Sequence, residues 1–168
     1  MNDLSGQPLY VTSLEEIFWG GILVAITMAM HGFGMLAVLR ANLAVKDRLK
    51  GRTSIMSGLF PVILASWMIM LLHLFEVMVW AAFFLWKGAF TNGSIAYYFS
   101  LNEYTTVGSN FNLPLHWRLL EGMIATAGLL TFAWSTGILI TLAQEFQDQR
   151  LQQLQQRHAQ NEKPKEQP

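Results

Sequence analysis

The chain contains no cysteine, which excludes disulfides and thiolate-bound metals and leaves the compartment open. Charge is nearly as scarce: between Thr53 and Trp117 only Glu76, Lys87 and Glu103 carry any. Soluble domains average about 25% charged residues, whereas this chain has 13% and is 52% hydrophobic. No lysine or arginine precedes Arg40, so a cleavable signal with a basic n-region is not expected. The same absence removes the repeated arginines of a voltage sensor from the first apolar run. No nucleotide-binding or calcium-binding loop is present. The serines lack a matching histidine and carboxylate arrangement, so no enzymatic activity is expected, and nothing implies a nucleic-acid partner.

What the sequence does contain is three long apolar stretches, at 18–39, 59–86 and 119–142. Each supplies roughly the 20 residues that cross a bilayer as a helix. They predict an all-α, multi-pass protein of the cell membrane, with the lipid bilayer as its first partner. The connection "RANLAVKDRLKGR" sets Arg40, Lys46, Arg48, Lys50 and Arg52 against one Asp47, while the segment 1–17 carries Asp3, Glu15 and Glu16. The positive-inside rule then places 1–17 outside, the connection within 18–58 in the cytoplasm, and the tail 148–168 in the cytoplasm with a disordered end. Trp80 and Trp86 suit the outer interface.

The segment "TNGSIAYYFSLNEYTTVGSNFNLPLHW" lies between the second and third runs. Asn92-Gly93 marks a turn, and Ser94 is placed to cap a helix over 95–105. Such a helix is about 16 Å long, half a bilayer. A half-length helix followed by glycine-containing extended chain predicts a re-entrant loop, which survives at membrane depth only when covered by protein or lining water. A helix lying on the membrane surface is the alternative.

An outer helix at 59–86, a half-helix at 95–105, "TTVG" and an inner helix at 117–147 together resemble the pore domain of potassium-channel-like proteins. The resemblance is closest to the small prokaryotic two-pore-type ion-channel family that has one extra N-terminal transmembrane helix. "YYFSL", "LPLHWRLLEG" and "FAWSTGILITLAQ" add to it. It implies a homotetrameric cation channel that conducts potassium or another monovalent cation passively, with no cofactor and no metal beyond the permeating ion. Thr105, Thr106, Val107 and Gly108 match the inner filter, where rings of carbonyls replace an ion's hydration shell. Ser109, Asn110 and Phe111 depart from the aromatic, glycine and acidic residues of the family, which implies weakened selectivity. Asn110 would have to adopt the left-handed conformation of that glycine. Glu103 and Phe111 are the residues for filter support or the pore mouth. A non-conducting subunit or sensor with the channel fold is the alternative, as is a proton-coupled transporter using His73 and Glu76.

His31, His73 and Glu76 are ionisable residues inside apolar runs, and such residues are functional candidates by default. His73 and Glu76, three apart, share a helix face. His31 is expected one or two turns deeper towards the cytoplasm. A polar clasp between the first two helices, a proton- or metal-sensitive gate, and haem ligation disfavoured by the unequal depths are the readings. Gly128 is the candidate gating hinge, Arg118 and Glu121 a candidate ion pair, and Ser135 and Thr136 candidate cavity residues.

Overall fold

The computed structural model describes residues 11–49 and 55–161, and all regular structure among them is helical. The elements are α1 (Leu14–Leu49), α2 (Ile55–Trp86), α3 (Gly93–Tyr104) and α4 (Leu119–Asn161), with a 3-10 turn at Leu115–Trp117. Three of the four, α1, α2 and α4, are long and apolar enough to cross a membrane, the pattern of a multi-pass membrane protein. Their outward faces carry exposed Phe33, Trp67, Leu71 and Leu129, an exterior that water would penalise and lipid or a neighbouring chain would cover.

Helix ends differ from the sequence expectation for local reasons. The start of α1 is a reciprocal capping box. Ser13 Oγ accepts the Glu16 N–H at 3.1 Å, and Glu16 Oε2 accepts the Ser13 N–H at 3.0 Å. The other oxygen of Glu16 accepts the Leu119 N–H at 3.1 Å, so one buried carboxylate serves the positive ends of α1 and α4. The cap of α3 is Asn92 rather than Ser94: its Oδ1 accepts from Ser94 N at 2.8 Å and Ile95 N at 3.3 Å. That starts the helix at Gly93 instead of 95. At its far end α4 runs past 147 without a break to Asn161. The expected disorder of the tail concerns 162–168, which lie outside the described residues, as do Lys50, Arg52 and residues 1–10.

The helix register is fixed by specific pairs. Against α2, which runs antiparallel to it, α1 places Thr27 Oγ1 to accept the Trp80 indole N–H at 3.0 Å, and Asn42 Nδ2 to donate to the Pro61 carbonyl at 2.9 Å. Trp80 is therefore a fully buried core residue and not an interfacial one, whereas Trp86 is exposed. One end of the bundle carries Lys87, 3.3 Å from Glu15 and ringed by Trp19, Trp86 and Trp117 at 4.4, 5.0 and 5.3 Å. Such a cation over aromatic faces suits a membrane interface. The other end carries the Lys46–Glu145 pair at 2.6 Å.

The short α3 wedges between α2 and α4. Phe99 packs edge-on against Phe84 and tilted against Phe90, with centroids 5.5 and 5.0 Å apart. At its C-terminus the backbone presses on Gly128, where an added Cβ would fall 1.9 Å from the Tyr104 carbonyl oxygen. Gly128 thus permits a close approach, and α4 stays helical straight through the position expected to hinge.

Candidate functional site

Five buried side chains from all four helices close a ring of hydrogen bonds. Starting on α2, Glu76 Oε1 lies 2.9 Å from His31 Nδ1 on α1. His31 Nε2 lies 3.2 Å from Ser135 Oγ on α4, and the same hydroxyl lies 3.1 Å from His73 Nε2. His73 Nδ1 is 3.0 Å from the hydroxyl of Tyr104, the last residue of α3, and that hydroxyl donates to Glu76 Oε2. Thr131, four residues before Ser135 on the same face of α4, touches the Tyr104 hydroxyl at 2.5 Å. Side-chain nitrogens and a carboxylate oxygen of His31, His73 and Glu76 all lie within 4.8 Å of one another, so among the described residues these three form a group with the spacing to hold a cation.

The structure places His31 level with His73, not deeper. The two rings stack with centroids 5.3 Å apart and share Ser135. The expected offset assumed that the helices end with their apolar runs. Instead α1 continues to Leu49 and α2 begins at Ile55, and this moves the hairpin's turn point towards the C-terminus. Stacked rings bound to one hydroxyl leave no gap for a porphyrin, which removes the haem reading on different grounds from the expected ones. His31 is 16 residues from Glu15 and 15 from Lys46, about 24 and 22 Å along the helix. The ring therefore sits midway between the bundle's charged ends.

Directly after the ring residue Tyr104 comes the "TTVG" segment. It forms a Schellman cap on α3: the Val107 N–H bonds the Asn102 carbonyl at 2.9 Å and the Thr106 N–H bonds that of Glu103 at 3.0 Å. The cap puts Thr106 in the left-handed region at φ 61°, and Gly108 follows at φ 80°. Among the described residues no other position of this loop has positive φ, so Asn110 does not adopt the conformation expected of it. The left-handed step falls earlier because the helix is capped there. Beyond the cap, Glu103 Oε1 accepts the Ser109 N–H at 2.9 Å, and Ser109 Oγ accepts the Phe111 N–H at 3.1 Å. Phe111 meets the edge of Tyr98 at 6.1 Å. Burial pushes the Glu103 carboxyl above the ordinary carboxylate range, the Ser109 N–H opposes this, and Glu121 adds to it. Val107 is 75% exposed, and Thr106, Gly108 and Asn110 are exposed beside it, with Ser109 half-buried.

A cavity of about 330 Å³ lies beside the ring between α2 and α4, lined among others by His73, Tyr104, Thr105, Phe132, Ser135 and Thr136. Ser135 is thus both a ring member and a cavity residue. Thr136 spends its hydroxyl on the Phe132 carbonyl at 2.8 Å. Arg118 and Glu121 do not pair; Glu121 Oε1 accepts the Leu113 N–H at 3.0 Å and ties the loop to α4.

Sequence reasoning missed Tyr104, Thr131 and Glu16. The first had a signal, since a tyrosine ending an apolar half-helix needs a partner for its hydroxyl. Glu16 had another, the Ser-x-x-Glu spacing before an apolar run. Comparisons with protein-family models, curated proteins and solved structures give no match. The resemblance to potassium-channel-like proteins therefore stands on this chain's own residues.

Proposed function

We propose that the chain is one quarter of a cation channel of potassium-channel type, with α3 as the re-entrant pore helix and 105–111 as the filter segment. The observation that carries this reading is the exposed stretch Thr106–Gly108, one turn beyond a tyrosine anchored midway between the charged ends. At that depth carbonyls facing lipid without partners are not viable, whereas carbonyls facing water inside an assembly are. The negative end of the α3 dipole points at the same place and favours a cation. A single such loop per chain requires a closed ring of chains, four in this fold type. The cell membrane is the proposed location, with the Lys46 end cytoplasmic and the Lys87 end outside. Inner carbonyls from Thr105 to Gly108 would contact the ion, and the altered Ser109, Asn110 and Phe111 would loosen selectivity.

A non-conducting subunit is the second reading, favoured by the Schellman cap that commits the Thr106 and Val107 N–H groups to α3. Flux from purified protein in liposomes separates the two, comparing potassium, sodium and an impermeant cation, with Thr106→Ala alongside. The channel reading expects flux that changes with the substitution. Absence of flux from a folded tetramer sinks it.

A further inference from the structure

The ring of hydrogen bonds contains a numerical constraint. Its perimeter has five contacts: Glu76–His31, His31–Ser135, Ser135–His73, His73–Tyr104 and Tyr104–Glu76; the His73 Nδ1–Glu76 Oε2 approach at 3.3 Å crosses the last two and brings no proton of its own. Each contact needs one proton between its two heavy atoms. With an ionised carboxylate and two neutral imidazoles, His31, His73, Ser135 and Tyr104 bring one each, four in all. One contact then sets lone pair against lone pair in a buried site, a high-stakes arrangement in low dielectric. Thr131 cannot make up the deficit: it brings one proton, and its hydroxyl faces the Ala127 and Gly128 carbonyls at 3.0 Å as well as the Tyr104 hydroxyl.

We propose that this ring is a proton-binding site that holds one further proton per chain. The extra proton completes the fifth contact and makes the cluster electrically neutral, pairing Glu76 with an imidazolium or protonating its carboxyl. The groups facing the cluster are His31 from α1, His73 and Glu76 from α2, Tyr104 from α3, and the hydroxyls of Thr131 and Ser135 with the Trp134 ring from α4. Among the described residues no lysine or arginine is bonded to the ring: Lys87 pairs with Glu15 and Lys46 with Glu145, at the two ends of the bundle. The carboxylate of Glu103, the residue before Tyr104, is turned to the Ser109 N–H. The contacts between His31, His73 and Glu76, 2.9 and 3.3 Å, are of hydrogen-bond length and complete without an intervening ion. Because Tyr104 immediately precedes Thr105, the bound proton also holds the end of α3. Its loss as pH rises frees one contact in the ring and loosens the cap at 105–108. The inference rests on the ring alone and is independent of the channel reading.

The count singles out one substitution. In Glu76→Gln the amide oxygen accepts from His31 and the amide N–H donates to Tyr104. The Tyr104 hydroxyl then donates to His73, whose other nitrogen donates to Ser135, which donates to His31. All five contacts are filled with every group neutral, so the variant needs no added proton.

The test uses full-length protein in lipid at about pH 8.5, two units above the ordinary histidine value of about 6.5. Residue-specific assignment separates His116 and His158, which lie outside the ring, from His31 and His73. Nitrogen-15 spectra of histidine-labelled protein report imidazolium, and the infrared carbonyl band reports protonated carboxyl. The expected result is one proton equivalent per chain in one of the two signatures, absent in Glu76→Gln. Amide exchange at 105–108 should quicken beyond the intrinsic rate as the wild-type signature is titrated away at higher pH, and should not do so in the variant. Neither signature in the wild type overturns the proposal, and that measurement stands alone should the variant fail to fold. A signature that persists in Glu76→Gln, or one bound metal ion per chain by elemental analysis, also overturns it.

Discussion

The two sides of the α3 C-terminus could hardly differ more. Up to Tyr104 the helix is fastened to both of its neighbours: Ala96 and Phe99 are fully buried, and the Tyr104 hydroxyl reaches Glu76 on α2 and Thr131 on α4. Three residues later Val107 stands 75% exposed. The contrast separates two tasks within one turn of chain. The first part is positioned by packing and buried hydrogen bonds. The second is held by its own cap and by one carboxylate, leaving its outer surface for something the single chain does not supply. Loops that carry function on a rigid scaffold have this form.

The contrast breaks most severely at Gly128. A Cβ there would meet the backbone carbonyl of Tyr104 at 1.9 Å, and backbone cannot step aside as a flexible side chain can. Gly128→Leu should destabilise the protein by about 3 kcal/mol, measured by thermal unfolding in detergent. Gly137→Leu, where nothing lies within 4 Å, should change stability by less than about 0.5 kcal/mol. Equal effects would mean that α3 is not seated against α4. One step smaller, Tyr104→Phe keeps the ring's shape but strips a hydroxyl from Glu76, His73 and Thr131. Leaving buried polar groups unpaired should cost about 1–3 kcal/mol. Tyr98→Phe, half exposed on the same helix, should cost almost nothing. A flat result for Tyr104 would remove the ring from the forces that hold α3.

How much of this was legible in the sequence follows from the range of each interaction. The spans were visible because the apolar runs that make them are continuous in the chain. The shared face of His73 and Glu76 was visible because three residues bring side chains together on any helix. The level of His31 was not, because it depends on how far α1 and α2 run beyond their apolar stretches, and "AVKDRL" forms helix without being apolar. Trp80 was misjudged for a related reason: a tryptophan near the end of a span reads as interfacial unless its partner Thr27, 53 residues away, is known. The cap of α3 was misplaced by two residues because Asn92 and Ser94 are both good caps. At the loop, alignment with the filter pattern assigned the left-handed step to Asn110, where the family has glycine. The helix-termination geometry that puts it on Thr106 is local, yet "YTTVG" carries no glycine at that position to announce it.

That unusual Thr106 sharpens the comparison from the exposed side. A β-branched residue at φ 61° is strained, so Thr106→Gly should raise stability by about 1 kcal/mol. The same change alters a position whose carbonyl is proposed to contact the ion. A variant that unfolds at higher temperature and has altered cation flux in liposomes would mark Thr106 as kept for conduction. A variant more stable with unchanged flux would place the ion path elsewhere.

The smallest effect tests the carboxylate that steadies the exposed loop. Burial raises the Glu103 carboxyl above its ordinary range, with Glu121 adding to the shift. The folded chain therefore binds this proton more tightly than the unfolded chain does. Its contribution to stability is fully present below the unfolded value and is lost as pH rises through the raised folded one, so at neutral pH the charged form is a liability. The hydrogen bond from the Ser109 N–H at 2.9 Å does not require that charge, since an amide oxygen accepts it as well. Glu103→Gln should thus stabilise the protein slightly at pH 7, with the difference vanishing near pH 4, where the wild-type carboxyl is protonated. A loss of stability at pH 7 instead would mean that the negative charge itself holds the loop. Glu103 would then belong with Tyr104 among the groups that fasten the end of α3, and the boundary between the fixed and the exposed part of this segment would move from Tyr104 to Ser109.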